Sequence, residues 1–146
     1  MEEVIVNLAF VLFIFLLFYY VLGGSKISKL NKEFSEIKKF NEDELSKLKG
    51  PGFSVDYIIN AGDGLKKIAF DCENKKVALI QYHVTKILRF NDIKGWYIDK
   101  KIYDKNTTYM LNVKLSDPSN PMFTITAEYY EIAKNWEAQI DAILTK

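Results

Sequence analysis

The stretch "VIVNLAFVLFIFLLFYYVL", Val4 to Leu22, constrains this chain more than any other part of it. It is apolar at every position except Asn7 and carries no charge. At about 1.5 Å per residue a helix over this run reaches roughly 28 Å, close to the thickness of a bilayer's hydrocarbon core. A soluble helix shows an apolar stripe and a polar face, whereas this one is apolar all round, as a lipid-facing helix must be. Tyr19 and Tyr20 fall near one end, where amphipathic rings favour the headgroup region. A cleaved export signal opens on positive charge, but this sequence opens Met1-Glu2-Glu3. The run therefore reads as an anchor, Met1–Gly24, with Gly23 and Gly24 relaxing the chain as it leaves the membrane.

Orientation follows from the flanks. Lys26, Lys29, Lys32, Lys38 and Lys39 follow the run, and no Lys or Arg precedes it. The positive-inside rule then sets the N-terminus outside and the C-terminal bulk on the cytoplasmic face of an inner membrane, with Lys26 and Lys29 beside the interface. The single cysteine, Cys72, fits a reducing compartment, because one thiol makes no intrachain disulfide framework. The net charge of +1 is near neutral and argues against nucleic acid as a partner, since such partners select a strong basic bias.

After the anchor, Ser25–Gly52 reads as a charged helical linker. Ile27, Leu30, Phe34 and Ile37 recur at intervals of three and four and mark one apolar stripe. The next seam positions are Asn41 and Glu44, too polar to extend a coiled coil. Asn41 with Glu44 three residues on instead predicts a helix restart with Asn41 as cap, and Gly50-Pro51-Gly52 predicts the stop. The stripe has three outlets: packing on the following domain, lying at the membrane surface, or pairing with a second copy in a homo-oligomer.

From Phe53 the period changes from helical to two, which means strands. "FSVDYIIN" supplies the first. In "LKKIAFDC", Ile68, Phe70 and Cys72 alternate with Lys67, Ala69 and Asp71, and "KVALIQY" follows the turn "ENK" to complete a hairpin. "TKILRF" and "KGWYIDKKIY" read as a second pair around "NDI". "TTYMLNVKL" sets Tyr109, Leu111, Val113 and Leu115 inward, with Met110, Asn112 and Lys114 outward, and "MFTIT" follows the turn "DPSNP". About seven short strands predict an antiparallel barrel or sandwich. The closing segment "AEYYEIAKNWEAQIDAILTK" has helical spacing, with Tyr129, Ile132, Ala133, Trp136, Ile140, Ile143 and Leu144 on one broad apolar face and Thr126 as its cap. Tyr129, Trp136 and Ile140 are the expected contacts between that helix and the sheet.

Strands followed by one C-terminal helix, with Trp136 on the inner face, resemble the pleckstrin-homology-like barrel. "KKIAFDCENKKVALI" followed by "TKILRFNDIKGWYID" is similar to small bacterial proteins of unknown function that carry such a domain behind a membrane segment. The matching positions are Ile68–Asp71 and Phe90–Ile93, and the resemblance covers Phe53–Lys146. It implies an α+β chain: a transmembrane helix, an amphipathic linker helix, then a barrel of about seven strands capped by a helix. Roles in an envelope complex or in phage exclusion fit that architecture, and no residue selects among them.

The eukaryotic relatives of that fold imply anionic lipid headgroups as a possible ligand, which singles out Lys66 and Lys67 just after "AGDG", and Arg89. Against it, Asp63 sits in the same loop, and "GDG" is the Asp-Gly turn that a tight hairpin requires. Enzyme readings lack parts. His83 is the only histidine, so Cys72 and His83 offer a nucleophile and base without a third group to orient them. No cofactor or zinc motif is present. The expectation is a non-enzymatic adaptor for a membrane or cytoplasmic protein, using the groove between the last helix and its neighbouring strand. A headgroup-binding module is the alternative, and an enzyme of unrecognised type the second.

Overall fold

The computed structural model describes residues 2–49, 52–104 and 106–145, and gives no side chains for most of residues 2–23, nor for 25 and 103. The chain divides into two units, one ending at Glu36 and the other beginning at Ile37.

The first unit belongs to helix α1, Glu2–Leu48. Gly23 and Gly24 were expected to relax the chain but lie within the helix, since a glycine costs a helix only about 1 kcal/mol and does not stop it. Among the described residues no helix is long and apolar enough to cross a membrane. For most of Val4–Leu22, Tyr19 and Tyr20 included, only the helical backbone is described. Ile27, Leu30 and Phe34 are exposed along the expected stripe, as are Lys26 and Lys29.

In the second unit, α1 runs on without the expected restart. Asn41 is no cap: it sits inside the helix, fully buried, and its amide nitrogen donates to the carbonyls of Gly64 (3.1 Å) and Leu65 (2.8 Å). A tertiary partner has taken over the polar group that normally favours helix starts. The helix ends at Leu48, and the expected stop at Gly50 and Pro51 lies outside the described residues.

Seven strands follow: β1 (Tyr57–Asn60), β2 (Lys66–Asp71), β3 (Lys76–Gln81), β4 (Val84–Arg89), β5 (Ile93–Tyr103), β6 (Asn106–Leu115) and β7 (Met122–Ala127). They form two antiparallel meanders, β1-β2-β3-β4 and β5-β6-β7. The expected barrel is not closed. Between β1 and β7 the described backbone link is Gly62 N–H donating to Thr126 O at 3.4 Å. The expected pairing of "TKILRF" with "KGWYIDKKIY" is also corrected. β4 pairs with β3 and β5 with β6, and a short 3-10 turn, Phe90–Asp92, carries the chain from one sheet to the other.

One core lies between the sheets. It joins Ile68, Phe70, Val77 and Leu79 of the first sheet to Leu111, Val113, Phe123 and Ile125 of the second, under helix α2 (Tyr130–Leu144). Trp136 and Ile140 point into it as expected. Burying a ring such as Trp136 contributes several kcal/mol, at about 25 cal/mol per Å². Tyr129 does not join it: it is the residue before the helix, exposed, while Tyr130 stacks against Tyr109 at 5.4 Å. Thr126 belongs to β7 and caps nothing.

β2 breaks the two-residue alternation, because both its faces are covered. Ala69 pairs with Ala78 on the outer face, and these two small residues leave room for Leu45 of α1 to close down on the sheet with Phe53 and Ile80. Around that contact Lys67 pairs with Glu42, Thr85 Oγ1 donates to Glu44 Oε2 at 2.8 Å, and Phe40 meets the edge of Tyr82 at 5.7 Å. Asp71, the polar end of this strand, is also buried. Its Oδ1 accepts Asn74 N–H (2.9 Å), and its Oδ2 accepts Ser54 N–H (2.9 Å) and Asn74 Nδ2 (2.8 Å).

Candidate binding groove

The last turn of α2 is less deeply buried than the turns before it. Ala133, Trp136 and Ile140 are buried, but Ile143 and Leu144 are only half-buried. Beside them lies a groove of about 480 Å³. Its apolar lining comes from Tyr57 at the start of β1, Phe90 of the 3-10 turn, and Ala142, Ile143 and Leu144 of α2; Asn91 and Gln139 add amides. The size falls within the usual range for ligand pockets, roughly 300–1,000 Å³.

Local sequence fixes the walls. Phe70, an inward residue of β2, meets Phe90 edge-on at 6.4 Å, so the Phe90 ring is held from the core side. Lys75, in the left-handed region at φ 52°, turns the chain between β2 and β3, and its carbonyl accepts Phe90 N–H at 2.9 Å. A second depression shares Phe90, Asn91 and Leu144 with the groove and continues along Ile93, Gly95 and Trp96. Trp96 Nε1 donates to Asp141 Oδ1 at 2.8 Å, pinning α2 to β5. β5 pairs on one side only, with β6, so it is an edge strand running beside the groove. Its first residues carry a bulge between Ile93 and Gly95, with Gly95 at φ 150°. An edge strand next to a helix-walled apolar groove can take an extended peptide, backbone to backbone, with alternate side chains entering the pocket.

The cations singled out from the sequence do not converge. Lys66 Nζ donates to Thr124 O at 2.9 Å and lies 5.3 Å from the Phe123 ring centre, so its charge is turned toward β7. Lys67 is buried in its pair with Glu42. Arg89 is at the other end of the same sheet: Lys66 aligns with Gln81 and Val84, whereas Arg89 aligns with Lys76. Five residues along β4 separate those ends by roughly 17 Å at about 3.3 Å per residue. Cys72 and His83 are likewise apart, in the turns at opposite ends of β3, and Cys72 lines the groove instead of filling the core. Among the described residues no three His, Cys, Asp or Glu side chains are arranged to hold a metal ion.

Sequence reasoning located α2 and the strand beside it but not the residues that make the groove. Phe90 was read as the end of a strand and Asn91 as the start of a hairpin turn, and Tyr57 lay in an undivided first strand. The readable signal was the pair of aromatics Phe70 and Phe90 on either side of "KVALIQYHVTKILR", which only the crossing between sheets brings together.

No family model, no curated protein and no solved structure matches the chain.

Proposed function

We propose that this chain is a membrane-tethered, non-enzymatic binding module that takes an extended segment of a protein partner into the groove beside α2. The observation that carries this reading is the apolar groove itself, joined through Phe90, Asn91 and Leu144 to a depression lined by the first residues of the edge strand β5. The order of four strands, three strands and a helix supports a pleckstrin-homology-like arrangement. The uncharged run Val4–Leu22, with lysines following it, supports a single-pass anchor that holds the module at the cytoplasmic face of an inner membrane. Tethering raises the effective concentration of partners in the same bilayer, so a half-open groove of modest affinity suffices.

The test is site-specific photocrosslinking in intact cells, with p-benzoylphenylalanine in place of Ile143 in the full chain. Ile58, an exposed residue of β1, serves as the control position. A discrete protein adduct from position 143, missing from position 58 and lost when residues 1–24 are removed, is the expected result. Adducts to lipid alone, or the same adducts from both positions, would reject the reading.

A further inference from the structure

Where the groove meets the β2–β3 turn it runs into a shallow notch lined by Asn74, Lys75, Arg89, Phe90 and Asn91. Lys75, Phe90 and Asn91 belong to both, so the notch and the groove form one surface. The backbone brings its two cations together: Lys76 aligns with Arg89, and Phe90 N–H donates to Lys75 O at 2.9 Å. Both side chains are exposed, and neither takes part in the four ion pairs found among the described residues.

The neighbouring acids, Asp56, Asp71, Glu73 and Asp92, are not among the residues that line the groove or the notch. Asp71 is buried and holds its three donors. Asp92 accepts Arg89 N–H through Oδ2 (3.0 Å), and its Oδ1 meets Ser116 Oγ at 3.5 Å. Glu73 is exposed in the turn itself. On the far side, Asp141 accepts from Trp96 Nε1, and Lys94 lines the same depression with its Nζ donating to Asn91 O at 2.9 Å. The charged side chains that line the groove, the notch and the second depression are thus Lys75, Arg89 and Lys94.

Building on the peptide reading above, we infer that the groove selects a segment in which a bulky apolar residue stands next to a carboxylate. The apolar side chain lies on Phe90, Ile143 and Leu144, and the carboxylate lies against Lys75 and Arg89, with Asn91 supplying an amide donor. Complementary charge at the rim of an apolar site fixes register and excludes segments of the wrong sign. A basic segment would meet both cations and is rejected.

The probe is a phage-displayed library of random dodecapeptides, panned on the full chain in nanodiscs of zwitterionic lipid. The expected selection has Asp or Glu within two positions of Leu, Ile or Phe. On the Lys75→Glu, Arg89→Glu double variant the same selection should turn to Lys and Arg. Acidic peptides chosen on the wild type should bind that variant about tenfold more weakly. Their affinity for the wild type should also fall as salt rises, a readout that needs no variant. Selected peptides without acidic bias, or affinities indifferent to both salt and charge reversal, would overturn the charge assignment and leave the groove reading standing. No enrichment at all, or peptides that bind undiminished after Ala142→Trp fills the groove, would overturn both.

Discussion

Two helix ends meet the same β scaffold, and they meet it differently. The end of α1 sits on the outer face of the first sheet through one buried leucine, Leu45, whereas α2 buries Ala133, Trp136 and Ile140 in the main core and leaves a groove beside its last turn. Small residues explain the first contact. Ala69 and Ala78, side by side in adjacent strands, let the helix approach until Leu45 is buried, and Asn41, Glu42 and Glu44 ring the contact with polar bonds. Large residues explain the second. Tyr57 and Phe90 line the groove together with Ile143 and Leu144, which stay half-buried.

Truncating matched leucine-sized side chains at the two ends is the strongest test of that difference. Leu45→Ala should destabilise the second unit by about 2–5 kcal/mol, the usual cost of a cavity in a closed contact. Ile143→Ala, at the open groove, should cost about 1 kcal/mol or less, because water already reaches the site. Urea unfolding of the full chain in detergent micelles measures both, and equal losses would erase the distinction.

Asn41 sharpens it next. Asn41→Ala leaves the carbonyls of Gly64 and Leu65 without their donor under the helix, at a cost of about 1–3 kcal/mol. Its own Oδ1 is buried without a hydrogen bond among the described residues, so part of that cost is offset. Hydrogen exchange at the β1–β2 turn should rise with the same substitution, and unchanged exchange there would mean that the helix is held by Leu45 alone.

The smallest effect concerns pH. Burial pushes the Asp71 carboxyl up, but the N–H and side-chain amide of Asn74, the N–H of Ser54 and the charge of Lys76 together hold it below the ordinary carboxylate range. Its folded value is thus lower than its unfolded one. The stabilisation is present above the ordinary value of about 4 and is lost as pH falls through the lowered one. Asp71→Asn should cost about 1 kcal/mol at neutral pH and nothing in strong acid. Unfolding curves of wild type and variant from neutral pH downward should converge, and parallel curves would show that the carboxylate charge has no part in anchoring the turn.

Some of this was legible in the residues themselves. The two-residue alternation of "TTYMLNVKL" set Tyr109, Leu111, Val113 and Leu115 on the core side, and all four join it, but Asn112, expected outward, is buried too and accepts from Thr124 Oγ1 on β7 at 2.6 Å. The helical spacing of Trp136 and Ile140 gave the buried face of α2. The alternation of "KKIAFD" misled, because that strand is covered on both faces and buries Lys67 and Asp71 along with Ile68 and Phe70. Nothing local announces a second cover. It arrives from Leu45, more than twenty residues upstream, and the cap-like pattern at Asn41 hid the helix that brings it.

The sequence by itself determined periodicity, and with it the strands, the last helix and the charge-free N-terminal run, since periodicity depends only on which neighbours share a face. Tertiary structure alone decided which faces meet. It parted β4 from β5, carried Phe90 beneath α2, and set Lys75 beside Arg89 while sending Lys66 to the far end of the sheet. Those juxtapositions join residues far apart in the chain, and only the packing of the two sheets around one core fixes such distances.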